Sequence, residues 1–306
     1  MSDIPAIDRV LPAAIPLLGA AEAASALGAT LRLRLDGTTV APEFSAQLDA
    51  VLGALGIGDA VDALDADESV AVLGIVEGFL QQAADFVAHP SRSTWDHEDP
   101  SILRAQGHTS ALIPPAVKRF VLPALGDALV TRMDSPDAAF LDVGVGVGAL
   151  AVAMCQLWPS LRTVGIDPWE PALALAREQV AAAGLEERIE LRKITAEALE
   201  DREQFDLAWV PTFFIPSDVL DPAIERVHAA LRPDGWVLLG MYGRPGNPFI
   251  DALADFRAVR QGGSLRTPQE VASSLERAGF EDVAVHFNPE WGLPLVYVAG
   301  RRAPAT

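Results

Sequence analysis

An α/β fold with a mainly helical N-terminal domain is what this chain predicts, on three observations. From Ala138 onward, short strand-like runs alternate with helix-like runs, the pattern of a parallel sheet with helices on both faces. Near the C-terminus the alternation stops, because Asp282–Phe287 and Leu293–Gly300 are strand-like and joined only by the short link NPEWG. A link that short makes a hairpin, so the sheet gains an antiparallel strand at its end. Before Ala138 the chain is rich in Ala, Leu and acidic residues and carries several helix-like runs.

Taken in order, helices are expected over Pro12–Leu27, Ala41–Leu55, Asp67–Val87 and Pro100–Gly107. Asp36-Gly37, between LRLRL and TTV, reads as the turn of a small hairpin. Around residues 88–115 the texture changes to HPSRSTWDHEDPSILRAQGHTSALIPP, a loop-rich stretch holding His89, His97, His108 and Trp95. The domain boundary is placed at Pro114–Pro115, giving domains 1–115 and 116–306, with a helix over Ala116–Thr131 leading into the second. Strands follow at Ala139–Val143, Arg162–Ile166, Ile189–Lys193, Phe205–Val210 and Trp236–Met241. Between them lie helices over Pro171–Ala183, closed by Gly184 as a C-cap residue, and over Asp218–Leu231.

The chain has 306 residues, half of them apolar, and so can bury a full core. Its net charge is −19, and residues 1–115 alone carry 16 acidic against 5 basic side chains. No basic stripe of the kind that nucleic acid requires is present, and an anionic membrane surface is disfavoured for the same reason. A small-molecule partner is the expectation. The uncharged apolar run Val143–Cys155 is shorter than the ~20 residues a bilayer crossing needs. At the N-terminus, Asp3 and Asp8 spoil a basic leader, and Pro12 and Pro16 interrupt the apolar run. Together with the lone Cys155, which excludes an internal disulfide, this points to the cytoplasm.

The chemistry centres on FLDVGVGVGAL, Phe140–Leu150, a strand running into alternating glycines and then a helix. Glycine lets a ligand approach the backbone closely. Asp167 ends the next strand, 19 residues after Gly148. That arrangement suits the pyrophosphate of a dinucleotide, whose fingerprint GVGVGA satisfies through Gly144, Gly146 and Ala149. It equally suits the amino-acid end of S-adenosylmethionine. Asp142 favours the second reading, because a carboxylate repels a pyrophosphate but attracts a cationic sulfonium ligand bearing an ammonium group. The C-terminal hairpin, which a dinucleotide domain does not need, favours it too.

The segments LDVGVGVGAL, TVGIDPW, ERIELRKITAEAL, FDLAWVPTFF and LRPDGWVLLG occur in that order over about residues 116–306. In order and spacing they resemble the class I S-adenosylmethionine-dependent methyltransferases, of the small-molecule, two-domain type. The resemblance implies a Rossmann-like seven-stranded methyltransferase sheet with an antiparallel last strand, and S-adenosylmethionine as cofactor. It implies that Asp142 holds the ligand's amino group, directly or through water, and that Gly144, Gly146 and Gly148 line its methionine portion. Asp167 would accept from the ribose hydroxyls, and Pro168 and Trp169 would pack on the adenine. Where the family often has an acid reading the adenine amino group, this chain has Thr195, so Thr195, Ala196 or Glu197 takes that role. The helical first domain would form a lid or a dimer interface, making the protein a possible homodimer.

Methyl transfer is mostly positioning, with a general base where the nucleophile is a hydroxyl. His97 and His108, in the connector, are the candidate bases. His228 and His286 read as structural. The stretch PTFFIPSDVLDP lacks the histidine that many small-molecule O-methyltransferases carry there, with Asp218 as a poor substitute. Pro211, Phe213, Phe214, Tyr242 and Trp95 are candidates for the walls of an acceptor site, pointing to a small apolar or aromatic acceptor. The acceptor atom, whether oxygen, nitrogen or carbon, stays open. Asp96, His97, Glu98 and Asp99 read as a solvated acidic loop rather than a metal cluster, and no GxSxG, P-loop or HExxH motif occurs. A nicotinamide-dependent oxidoreductase and a non-catalytic ligand-binding or scaffold protein are the competing readings.

Overall fold

The computed structural model describes residues 5–286 and 295–304, in two compact units, residues 1–90 and 91–306. Unit 1 is helical, with α1 Ala6–Asp36, α2 Pro42–Ala54, α3 Gly58–Ala63 and α4 Ala66–Ala88. Leu31, Leu52, Val61 and Leu73 form its small core. Helix α1 runs straight through Pro12 and Pro16. The two missing N–H groups cost little here, because residues 5–13 are exposed and water can serve the freed carbonyls. The expected hairpin at Asp36-Gly37 is not formed. LRLRL is the last turn of α1, and Gly37, at φ 62°, ends the helix as Thr38 N–H donates back to the Leu33 carbonyl. Helix α4 starts from a reciprocal capping box between Asp65 and Glu68.

The connector after Pro90 belongs to unit 2, which moves the boundary from the expected Pro114–Pro115. The reason is packing: α5, Pro100–Ser110, lies against the glycine turn, and Arg104 pairs with Glu178. The helix expected over Ala116–Thr131 is broken into α6 Ile113–Ala116, a π turn Val117–Val121, α7 Leu122–Leu125 and α8 Asp127–Met133. Gly126, at φ 118°, accounts for the break between α7 and α8.

The sheet strands are β1 Ala139–Val143, β2 Arg162–Ile166, β3 Ile189–Arg192, β4 Phe205–Pro211, β5 Leu231–Tyr242, β6 Phe280–His286 and β7 Leu295–Arg302. They lie in the order β3-β2-β1-β4-β5-β7-β6. Strands β1 to β5 are parallel, and β7 pairs antiparallel with both β5 and β6. The antiparallel strand is therefore inserted between β5 and β6 rather than added at the edge. The link NPEWG lies outside the described residues. Helices α9 Ala149–Leu157, α10 Glu170–Ala182 and α11 Ser217–Ala230 follow β1, β2 and β4. Helices α12 Pro248–Arg260 and α13 Pro268–Arg277 lead into β6.

Strand alternation sends side chains to two apolar layers. Leu141, Val143, Ala208, Val210, Val237 and Leu239 join one. Phe140, Leu207, Trp209, Trp236 and Leu238 join the other. At the N-terminal edge, buried Asp206 accepts from Arg132, Arg232 and the Ala139 N–H, tying β4 to the start of β1.

Candidate active site

A cavity of about 340 Å³ opens at the C-terminal ends of β1, β2 and β4. Chain order reverses between β1 and β4, and open α/β sheets bind ligands at such a switch point. The turn Gly144–Gly148 forms one wall. Gly144, Gly146 and Gly148 all have left-handed φ, of 68°, 55° and 81°. A Cβ on Gly148 would press on Ala176, so that glycine serves packing and does not face the cavity. A Cβ on Gly146 would meet no side chain, and it is there that a ligand can approach the backbone.

Asp167, at the end of β2, organises the turn. One carboxylate oxygen accepts from the Gly146 N–H at 2.9 Å, the other from the Trp169 N–H at 2.8 Å. Each oxygen keeps a lone pair, so the side chain can still accept two hydroxyl hydrogen bonds from the cavity. Burial pushes its pKa up, against the pull of those two N–H groups. Asp142 stands on the Phe140 side of β1, 1% exposed and behind the wall rather than on it. Its Oδ2 has no hydrogen-bond partner. Burial first, and nearby Asp167 second, raise its pKa well above the usual carboxylate range.

Pro168, Trp169, Thr195, Ala196 and Glu197 all line the cavity. The Trp169 indole N–H donates to the His97 carbonyl at 2.8 Å, which fixes the ring. Trp95, Pro211 and Phe214 line it too, with the Trp95 and Phe214 rings 5.0 Å apart.

Besides Asp142 and Gly148, four further expected site residues are not on the wall. Phe213 lies in the apolar layer, stacked on Tyr242. The Tyr242 hydroxyl donates to Gln261 at 2.7 Å, and burial raises its pKa. His97 is buried beside Trp95, its Nδ1 accepting from Arg92 at 2.6 Å. His108 is carried on α5, whose cavity face is Leu103, Gln106, Gly107 and Ser110. Those positions follow the i, i+3, i+4, i+7 rule, and 108 falls off the stripe. Asp218, in the first turn of α11, does not line the cavity either.

Gln106 and Ser110 went unrecognised in the sequence, because only the packing of α5 on the glycine turn brings them to the cavity. The neighbouring acids have structural work: Asp96 pairs with Arg92, and Asp99 caps α5 through Ser101. Among the described residues, no group of three or more His, Cys, Asp or Glu side chains is placed to hold a metal ion.

Comparison with known proteins agrees with this geometry. Residues 140–235 match the family model described as a methyltransferase domain. The chain is 31% identical over 180 residues to a malonyl-[acyl-carrier protein] O-methyltransferase of Geobacter sulfurreducens, covering 56% of this chain and 65% of that protein. It is 37% identical over 125 residues to a ubiquinone biosynthesis O-methyltransferase of Stutzerimonas stutzeri, covering 40% and 51%. The chain thus spans between half and two thirds of the length of these curated relatives. Among solved structures, the S-adenosylmethionine-dependent methyltransferase SibL superposes with a TM-score of 0.65 at 22% identity, covering 96% of this chain and 99% of that one. Human N-acetylserotonin methyltransferase, in complex with S-adenosylmethionine, gives 0.59 at 16%, covering 99% of both chains. At such identities the likeness is one of fold. The matched methyltransferase domain covers the glycine turn, Asp167 and β4, and in fold the chain resembles the S-adenosylmethionine-dependent methyltransferases.

Proposed function

We propose that the protein transfers a methyl group from S-adenosylmethionine to a small apolar or aromatic acceptor. The observation that carries this reading is a single cavity uniting the glycine turn, Asp167 and Trp169 with the aromatic pair Trp95 and Phe214. The cofactor supplies an electrophilic methyl group on a sulfonium, taken by the acceptor in line. The residues present fit it: the backbone is open at Gly146, Asp167 has spare acceptor capacity for ribose hydroxyls, and Trp169 offers a fixed aromatic surface. Asp142, behind the turn, suits an ammonium reached through water. Thr195, Ala196 and Glu197 lie beside Trp169 as candidates for the adenine edge. The apolar walls exclude water, and catalysis here rests on positioning rather than on a histidine base.

We further propose that the protein is a cytoplasmic homodimer. The apolar residues that α1 exposes support association, and the buried, lone Cys155 is in keeping with a reducing compartment. Calorimetric titration with S-adenosylhomocysteine and separately with NAD, on the native protein and on Asp167→Ala, tests the cofactor. Micromolar binding of the first alone, weakened at least about tenfold by the substitution, is the expected result. Binding of NAD instead would return the oxidoreductase reading, and binding of neither the scaffold one.

A further inference from the structure

Resting on the methyl-transfer reading, we infer that the acceptor is an uncharged molecule oriented by Gln106 and Ser110, and that carboxylate and phosphate acceptors are rejected. The ionisable side chains on the cavity wall are Asp167 and Glu197, both acidic. A third carboxyl, Asp142, lies behind it. Among the described residues lining the cavity there is no Lys, Arg or His. The residues outside the description contain none in their sequence. Arg92, near Trp95 in the chain, is engaged with Asp96 and His97. An anionic acceptor would lose its hydration in this cavity and meet like charge with no counter-ion from the wall. The positive charge of a bound donor is already matched by Asp142 and Asp167.

The other polar groups that α5 brings to this cavity are of a different kind. Gln106 and Ser110 are neutral and one helical turn apart on the cavity face of α5. The Ser110 hydroxyl donates to the Gln106 carbonyl at 3.1 Å. What it presents to the cavity is therefore its lone pairs, which receive an O–H or N–H and repel an anion. Gln106 is an amide, with no charge to set against an anion. With Trp95 and Phe214 holding a flat apolar body, the pair selects a neutral molecule carrying a hydroxyl or amine. That separates this chain from the first relative above, whose name specifies a malonyl group.

The test pairs calorimetry with radiolabelled methyl transfer. S-adenosylhomocysteine binding is measured first, and its failure sinks the methyl-transfer reading and this one with it. Methyl transfer is then compared between matched neutral and acidic phenols, such as methyl caffeate with caffeate and catechol with protocatechuate. A kcat/KM at least about tenfold higher for the neutral member of each pair is expected. Equal or better use of the acids overturns the inference. So does transfer to no neutral member while S-adenosylhomocysteine binds normally. Ser110→Ala and Gln106→Leu, checked for unchanged melting, are expected to raise the acceptor KM about tenfold and to leave S-adenosylhomocysteine affinity within about twofold. Loss of that affinity instead assigns the pair to the donor and overturns it.

Discussion

Asp142 has apolar neighbours on its side of β1, and one of its oxygens is unpartnered. Burial holds its proton more tightly in the folded chain than in the unfolded one, where the ordinary value is 3.8. A raised acid gives its stabilisation fully below that value and loses it as pH rises through the folded value. At neutral pH the ligand-free protein therefore carries a destabilising carboxyl. Asp142→Asn is expected to raise the melting temperature at about pH 7 by a few degrees, with the gain shrinking toward about pH 4. The same variant should bind S-adenosylhomocysteine more weakly. Scanning calorimetry across that range decides it: a gain as large at the acid end would mean that charge is not the cause. This residue was legible because it sits beside the glycines in the chain. Gln106 and Ser110 were not, since only the packing of α5 brings them to the turn. His97 and His108 lie on the connector that carries α5 to the cavity, but burial and helix phase keep them off its wall.

Helix α5 meets the turn through Gly107, where an added Cβ would come 2.3 Å from the Val147 Cγ2 atom. Alanine is the better helix former by about 1 kcal/mol, but overpacking costs about 1–3 kcal/mol. The clash should win. Gly107→Ala is expected to destabilise unit 2 and to weaken S-adenosylhomocysteine binding, and Val147→Ala in the same chain should restore most of both. Urea unfolding of the four chains gives the coupling directly, and additive effects would show that the two positions do not touch. At the opposite edge, Asp206→Ala leaves Arg132 and Arg232 without their shared partner and the Ala139 N–H without its acceptor. Removing one member of a buried ion pair costs about 3–5 kcal/mol, and urea unfolding of unit 2 should show a loss of that size without a change in the cavity's ligand preference. Most strands were legible to within a residue or two, because two apolar layers impose a period of two on every central strand. The compact units divide after Pro90 and not at the Pro-Pro pair, which looks like a linker. Here it opens a short buried helix packed under the sheet.

At the scale of the molecule, what remains to be explained is α1. Two helices, Ala6–Asp36 and Ala66–Ala88, are long and apolar enough to cross a membrane by length and composition. In α1, however, the exposed apolar residues Ile7, Val10, Leu11, Ile15 and Leu18 fall at i, i+3, i+4, i+8 and i+11, with half-buried Ala14 at i+7 on the same stripe and exposed Leu17 off it. That is the stripe of a helix that packs against another helix along one face. Two copies of α1 laid together would bury this stripe on both chains, removing apolar surface from water at about 25 cal/mol per Å². The net charge of −19 argues against an anionic bilayer as the alternative cover. Light scattering coupled to size exclusion should therefore find a dimer, and Leu11→Glu with Leu18→Glu should give a folded monomer whose S-adenosylhomocysteine affinity is unchanged. A native monomer, or a double variant that stays dimeric, would remove α1 as the interface. Flotation with anionic vesicles, expected to recover no protein, separates the membrane reading from both.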